Sequence, residues 1–269
     1  MKIGFIGAGN MAYAILSGLH KSNIIKNSDV FVSNRTKDKL DKIKNEFSYN
    51  ISTDNSYVIK NAKDVLFICV KPQVFDNIAK DLKKNINSKQ LIVSIMAGKN
   101  IEYIEKELGT KNVIRVMPNT PSLVGAGISA VASSNIANKN KNYTDVLNIL
   151  RSIGEVIEVD EKYINAITQV SGASPAFIFM MIEALADGGV ECGLPRDLAY
   201  RFAMNAVYGS GKLAVDKYNE NKTHPGVLKD MVTSPAGTTI EGLRVLEENG
   251  FRGAIIDAVL QAYSRSLEL

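Results

Sequence analysis

Tryptophan is absent from this chain, and cysteine and histidine supply two residues each out of 269. So few thiols and imidazoles leave little from which to build a zinc cluster or a disulfide framework. Cys69 and Cys192 stand far apart and outside any C-x-x-C, so no metal site is expected. A reducing compartment suits such a chain. Blocks of one charge sign are also lacking. The 32 basic and 28 acidic residues are interspersed, with a net charge of +4, and no basic stripe suggests nucleic acid as a partner. Glycines interrupt the apolar start before it could serve as a secretory segment. No run approaches the ~20 apolar residues of a membrane helix, and the longest apolar stretch, Ala176–Glu183, reads as a buried helix. These absences point to a soluble, cytoplasmic protein that binds neither membrane nor nucleic acid. At this length folding buries about three quarters of the unfolded surface, so one large or two ordinary domains hold without staples.

What is present is alternation. Apolar β-type runs at Ile3–Ile6, Val30–Ser33, Val65–Val70, Leu91–Ile95 and Val113–Met117 are separated by helical spacing at Met11–His20, Lys37–Phe47, Val74–Leu82 and Ile101–Leu108. That order predicts a parallel sheet with helices on both faces. Ile128–Ala132 and Glu155–Val159 are further candidate strands, with a helix over Asp145–Ser152 between them. After about Asp160 the β-type runs vanish, and stretches rich in Ala, Leu, Met and Gly take over. Pro195 and Asp197 suit a first helical turn. Pro225, Pro235, Gly237 and Gly250 mark later breaks. The fold class is therefore α/β, with a Rossmann-type doubly wound sheet over residues 1–161 and an all-α domain over 162–269.

The segment Gly7-Ala-Gly-Asn-Met-Ala12 follows the first strand and opens the first helix. Gly7 suits a tight turn, Gly9 a close approach to a pyrophosphate, and Ala12 the packing of helix on strand. Asn10 and Met11 lie in the first turn, where phosphate meets free N–H groups. The second strand ends Ser33-Asn34-Arg35-Thr36, with no carboxylate to hold a ribose 2′-hydroxyl. An arginine there pairs with a 2′-phosphate, so NADPH is favoured, with NADH the weaker alternative. His20 and His224 read as structural or surface groups. Thr238 and Glu241 have capping-box spacing at the start of a helix, whose free N–H groups would attract an anion.

Several stretches, taken in order, carry a more specific signal. They are Cys69-Val-Lys-Pro-Gln73, Ser94-Ile-Met-Ala-Gly98, Arg115-Val-Met-Pro-Asn-Thr-Pro121, Val170-Ser-Gly-Ala-Ser-Pro175, Glu183-Ala-Leu-Ala-Asp-Gly-Gly189 and the tail His224–Leu243. Together they resemble the Δ1-pyrroline-5-carboxylate reductases over almost the whole chain. The resemblance implies reduction of a cyclic imine to proline with NAD(P)H, and a helical domain that interlocks into homodimers, often rings of dimers. It implies that Val70, Lys71, Pro72, Ala97 and Gly98 line the cofactor and that Asn55 sits near the adenosine. Asn119 would lie near the reacting ring. The carboxylate would be held by Gly237, Thr238 and Thr239 beside Ser234, and Thr239 or Ser171 would bond the ring nitrogen. One departure stands out: Ser171-Gly-Ala-Ser-Pro175 replaces the commoner S-G-S-G-P. Two rivals are weaker. A β-hydroxyacid dehydrogenase would need a lysine early in the second domain, and Gln169–Met181 has none. A non-catalytic NADPH sensor would have no use for the tail.

Overall fold

The computed structural model describes residues 1–268. Eight strands form one sheet in the order β3-β2-β1-β4-β5-β6-β7-β8. They are β1 (Ile3–Ile6), β2 (Val30–Ser33), β3 (Asn50–Ser52), β4 (Val65–Ile68), β5 (Leu91–Ser94), β6 (Val113–Met117), β7 (Gly127–Ser133) and β8 (Gly154–Glu158). All neighbours pair parallel except β6 with β7. The crossover helices are α1 (Asn10–Ser22), α2 (Lys37–Phe47), α3 (Asn55–Asn61), α4 (Pro72–Asn85), α5 (Ile101–Leu108) and α6 (Tyr143–Arg151).

Both faces of the sheet are buried, so its strands are apolar at consecutive positions instead of alternating. Ile3 and Phe5 of β1 point into a core closed by Leu16 of α1, Ile43 of α2 and Leu150 of α6. Ile6 points into the opposite core, closed by Val58 of α3, Phe75 of α4 and Ile104 of α5. Phe5 and Phe67 stack at 4.5 Å across β1 and β4.

β3 and α3 escape the sequence pattern. β3 has three residues, all of intermediate burial, and offers no apolar run. β4 ends at Ile68, earlier than the Val70 read from the sequence: Cys69 closes the pairing with β1 by donating its N–H to the Ile6 carbonyl, and the chain then enters α4 at Pro72.

After β8 come the short helix α7 (Ile164–Ile167) and a π-helical turn over Thr168–Ala173. The chain divides into two compact units, Met1–Gly172 with the chain's end from Tyr263, and Ala173–Ala262. The second unit holds α8 (Ser174–Glu191), α9 (Arg196–Asn221), α10 (Pro225–Met231), α11 (Thr238–Glu248) and most of α12 (Phe251–Leu267). Its buried apolar cluster comprises Ala186, Ala199 and Ala203.

The stretch Ala176–Glu183 is helical, as its composition predicts, but it is not buried. Phe179 is 58% and Met180 67% exposed. The unit has no internal partner for this face. Residues Glu161–Glu191 also form a helical stretch long and apolar enough to cross a membrane, by length and composition alone. That corrects the expectation that no such run exists.

Candidate functional site

The site is built where the strands end. Gly7 donates its N–H to the Ser33 carbonyl at 2.8 Å, locking β1 to β2 at their carboxyl ends. Its φ is +102°, and a Cβ there would lie 2.9 Å from the Cys69 carbonyl oxygen, so only glycine fits. Gly9 is the N-cap of α1 and brings no side chain to it. A Cβ on Gly9 would meet nothing within 4 Å. The space over the start of α1 is thus open, and the helix keeps the unbonded N–H groups of its first turn, through Asn10, Met11 and Ala12.

A cleft of about 400 Å³ opens there. Of the cofactor residues read from the sequence, it gathers Gly7, Gly9, Asn34, Arg35, Asn55, Val70 and Lys71. Asn34 holds the loop together: Oδ1 accepts from Ala8 N–H at 3.3 Å, while Nδ2 donates to the Thr36 hydroxyl at 2.9 Å. Ser33, fully buried, donates from its hydroxyl to Asn55 Oδ1 at 2.7 Å. Asn55 is the first residue of α3 and follows β3, so it too stands past a strand's carboxyl end.

Other expected residues stand off the cleft wall. Ala12 is buried beneath the helix start, and Pro72 begins α4 behind Lys71, which caps that helix. Thr36 caps α2. Ala97 and Gly98 form an exposed turn just past β5, with Gly98 at φ +73°.

Sequence reasoning missed Lys39, Thr53 and Cys69, which also line the cleft. Lys39 sits on the first turn of α2 and faces the same cleft as Arg35, which precedes the helix. Desolvation pushes the half-buried Cys69 thiol well above its ordinary range, so it forms a neutral wall and not a nucleophile.

At the end of β6, Asn119 is nearly buried and uses both ends of its amide. Oδ1 accepts from Ile128 N–H at 2.9 Å, and Nδ2 donates to the Ser171 carbonyl at 3.2 Å. Ser171 lies in the π-helical turn and donates its hydroxyl to the Ile167 carbonyl at 3.0 Å. Single turns of π-helix are frequent at functional positions.

In the helical unit, Ser234–Gly237 makes a turn, closed by Gly237 N–H on the Ser234 carbonyl at 3.1 Å, with Ala236 at φ +55°. Gly237 is the N-cap of α11 and Thr238 its first residue. The capping box suggested by Thr238 and Glu241 does not form, because Thr238 is already helical and Glu241 pairs with Arg244 at 3.1 Å. No side chain caps α11, so its first N–H groups stay available around Thr238 and Thr239. His224 is the N-cap of α10, its Nδ1 accepting from Gly226 N–H at 3.0 Å, and His20 packs 5.2 Å from the Phe47 ring. Asp187 on α8 pairs with Arg196. Among the described residues no group of three or more His, Cys, Asp or Glu side chains could hold a metal.

A doubly wound sheet with a glycine cradle at β1–α1, and an arginine where a ribose-binding carboxylate would stand, mark the class of dinucleotide-binding proteins. The comparisons with known proteins narrow that class. Residues 161–269 match the family described as "pyrroline-5-carboxylate reductase dimerisation", and residues 2–98 the one described as "NADP oxidoreductase coenzyme F420-dependent". Pyrroline-5-carboxylate reductase of Escherichia coli is 41% identical over 269 residues, covering 100% of this chain and 98% of that protein. The solved pyrroline-5-carboxylate reductase of Coxiella burnetii superposes with a TM-score of 0.88 at 34% identity, covering 99% of this chain and 97% of that one. The Plasmodium falciparum pyrroline carboxylate reductase, solved with NADP bound, gives 0.86 at 32%, covering 100% and 97%. The chain belongs to the pyrroline-5-carboxylate reductase family.

Proposed function

We propose that this chain reduces 1-pyrroline-5-carboxylate to L-proline, the closing step of proline synthesis, with NADPH as hydride donor and NADH as a weaker substitute. The observation that carries it is the cleft at the ends of β1 and β2, where the open space over Gly9 adjoins Arg35 and Lys39 and no carboxylate intervenes. The residues present fit a dinucleotide phosphate. The first turn of α1 from Gly9 to Ala12 takes the pyrophosphate, and Asn34, Arg35, Thr36 and Lys39 take the 2′-phosphate. Asn55 sits by the adenosine; Val70, Lys71, Pro72, Ala97 and Gly98 take the nicotinamide side.

Bound there, NADPH would supply the hydride for the imine carbon. The C=N π pair then passes to nitrogen, leaving a secondary amine, and a protonated imine needs no strong acid to accept hydride. The protein's work is orientation at about 3–3.5 Å. The uncapped start of α11, with Gly237, Thr238 and Thr239 beside Ser234, suits one carboxylate. The Ser171 hydroxyl already donates its hydrogen bond to the Ile167 carbonyl, so its oxygen is left to accept one from the ring N–H. Thr239 is the second candidate for that nitrogen, and Asn119 supports the segment that carries Ser171.

The functional division is a cofactor domain over 1–161 and a dimerisation and substrate domain over 162–269, supported by where the dimerisation match begins. A helical unit whose buried cluster is three alanines, and whose Phe179, Phe202 and Tyr208 are more than half exposed, supports a homodimer through this domain. A ring of dimers and a cytoplasmic location belong to the same reading, in which a second chain, and no membrane, covers the apolar stretch at 161–191.

The test is turnover of pyrroline-5-carboxylate, followed by loss of the reduced-nicotinamide absorbance with NADPH and then NADH. Fast NADPH oxidation supports the reading. Faster NADH oxidation discards the role of Arg35, and no turnover by folded protein discards the reductase. Thr239→Ala and Ser171→Ala, both with unchanged kcat and KM, would remove those hydroxyls from the mechanism.

A further inference from the structure

The most deeply buried charge of the sheet is Arg115, in the middle of β6. Its side chain is 4% exposed. Nη1 lies 3.1 Å from Glu161 Oε1 and Nη2 donates to Asn165 Oδ1 at 3.0 Å. The same Glu161 oxygen accepts the Ile101 N–H at 2.7 Å, fixing the start of α5. A guanidinium taken out of water is tolerated only when paired and hydrogen-bonded. Arg115 Nε nonetheless has no hydrogen-bond partner in this structure, so this arginine is not placed for maximal satisfaction of its own donors. An apolar residue would fill a strand interior at lower cost. What the arginine adds is geometry, since a planar fork holds two partners at a set angle.

Both partners lie on the segment that leads to Ser171. From Asn165 the next contact runs forward, because its carbonyl accepts from the buried Gln169 side chain at 3.2 Å. Four residues beyond Arg115, Asn119 holds the far end of that segment through the Ser171 carbonyl. β6 and the loop that leaves it thus grip residues 161–171 at two points, the fork of Arg115 at one and the amide of Asn119 at the other. The second grip falls inside the π-helical turn, whose register sets the direction of the Ser171 hydroxyl.

We infer that Arg115 is a positioning residue for the reduction: through Glu161 and Asn165 it sets the register of the π-helical turn and so aims Ser171 Oγ at the substrate nitrogen. This rests on the role proposed above for Ser171. It assigns to Arg115 no contact with substrate or cofactor.

The experiment is a double-mutant cycle between Asn165→Ala and Ser171→Ala, with Arg115→Lys as a second probe that keeps the charge and removes the fork. For each variant kcat, KM for pyrroline-5-carboxylate and KM for NADPH are measured beside a thermal melt. Asn165→Ala alone should lower kcat/KM for the imine roughly tenfold and leave KM for NADPH within about twofold. In the Ser171→Ala background the same substitution should cost less than about twofold, since residues acting through one another are not additive. Arg115→Lys should follow the Asn165→Ala pattern. Equal losses in the two backgrounds, or a parallel rise in KM for NADPH, overturn the inference and make the fork a stability element. A Ser171→Ala enzyme with full activity overturns the Ser171 role and the inference together. A wild-type chain without reductase turnover fails at the proposed function itself, so the three failures are distinguishable.

Discussion

The hydroxyl of Ser33, at the last position of β2, donates to Oδ1 of Asn55, the first residue of α3, at 2.7 Å. This single bond ties the end of one strand to the start of the helix after the next, and it holds Asn55 where it lines the cleft. Ser33→Ala removes a neutral hydrogen bond, about 0.5–1.5 kcal/mol. We expect KM for NADPH to rise roughly two- to tenfold, with KM for the imine unchanged. Steady-state kinetics with each substrate varied in turn checks it, and a change in the imine KM alone would refute it.

Arg35 and Lys39 line the same cleft. Each bond to a phosphate contributes about 1.5–3 kcal/mol, or one to two decades. Arg35→Ala and Lys39→Ala should therefore each raise KM for NADPH by about ten- to a hundredfold and leave NADH kinetics nearly unchanged. A matching loss with NADH would show that the cations serve something common to both cofactors.

The two cradle glycines should fail in different ways. Gly7→Ala places a Cβ against the Cys69 carbonyl at positive φ, a strain of about 1–3 kcal/mol and a fall in Tm of several degrees. Gly9→Ala meets no protein atom within 4 Å, so it should melt like the wild type yet lose NADPH binding. Calorimetry beside a cofactor titration separates them, and a destabilised Gly9→Ala with normal binding would contradict the reading of the open space as a phosphate seat.

Asp76 receives a hydrogen bond from the Tyr103 hydroxyl at 2.6 Å and an ion pair from Lys99 at 3.1 Å. The tyrosine bond first, then the lysine, holds its carboxyl below the ordinary 3.8. Because the folded value is the lower one, this stabilisation is present above about pH 4 and fades as pH falls through the folded value. The pair is partly exposed, so the effect is small. Melting of the wild type against Asp76→Asn should show a gap at pH 7 that narrows towards pH 3. A gap constant with pH would refute it.

Much of this was legible along the chain, for a physical reason. Strands buried on both faces are apolar at nearly consecutive positions, so Ile3–Ile6 or Leu91–Ser94 stands out without any knowledge of its neighbours. The glycine turn is legible because positive φ and close approach admit few residue types. β3 was hidden, since a short edge strand of intermediate burial carries no apolar run, and with it went the true position of Asn55. The helical unit misled in the other direction. Its apolar helices read as core, yet burial depends on a partner that composition does not reveal.

The sequence by itself determined the doubly wound sheet, the cradle at Gly7–Ala12 and the arginine after β2, because each rests on local backbone demands or on periodicity. Tertiary structure alone decided that Lys39 and Thr53 join Arg35 in one cleft, and that Arg115 of β6 and Asn119, two residues past its end, hold both ends of the segment bearing Ser171. The two grips from Arg115 and Asn119 join residues fifty and fifty-two apart in the chain, and only packing brings such side chains within reach of one another.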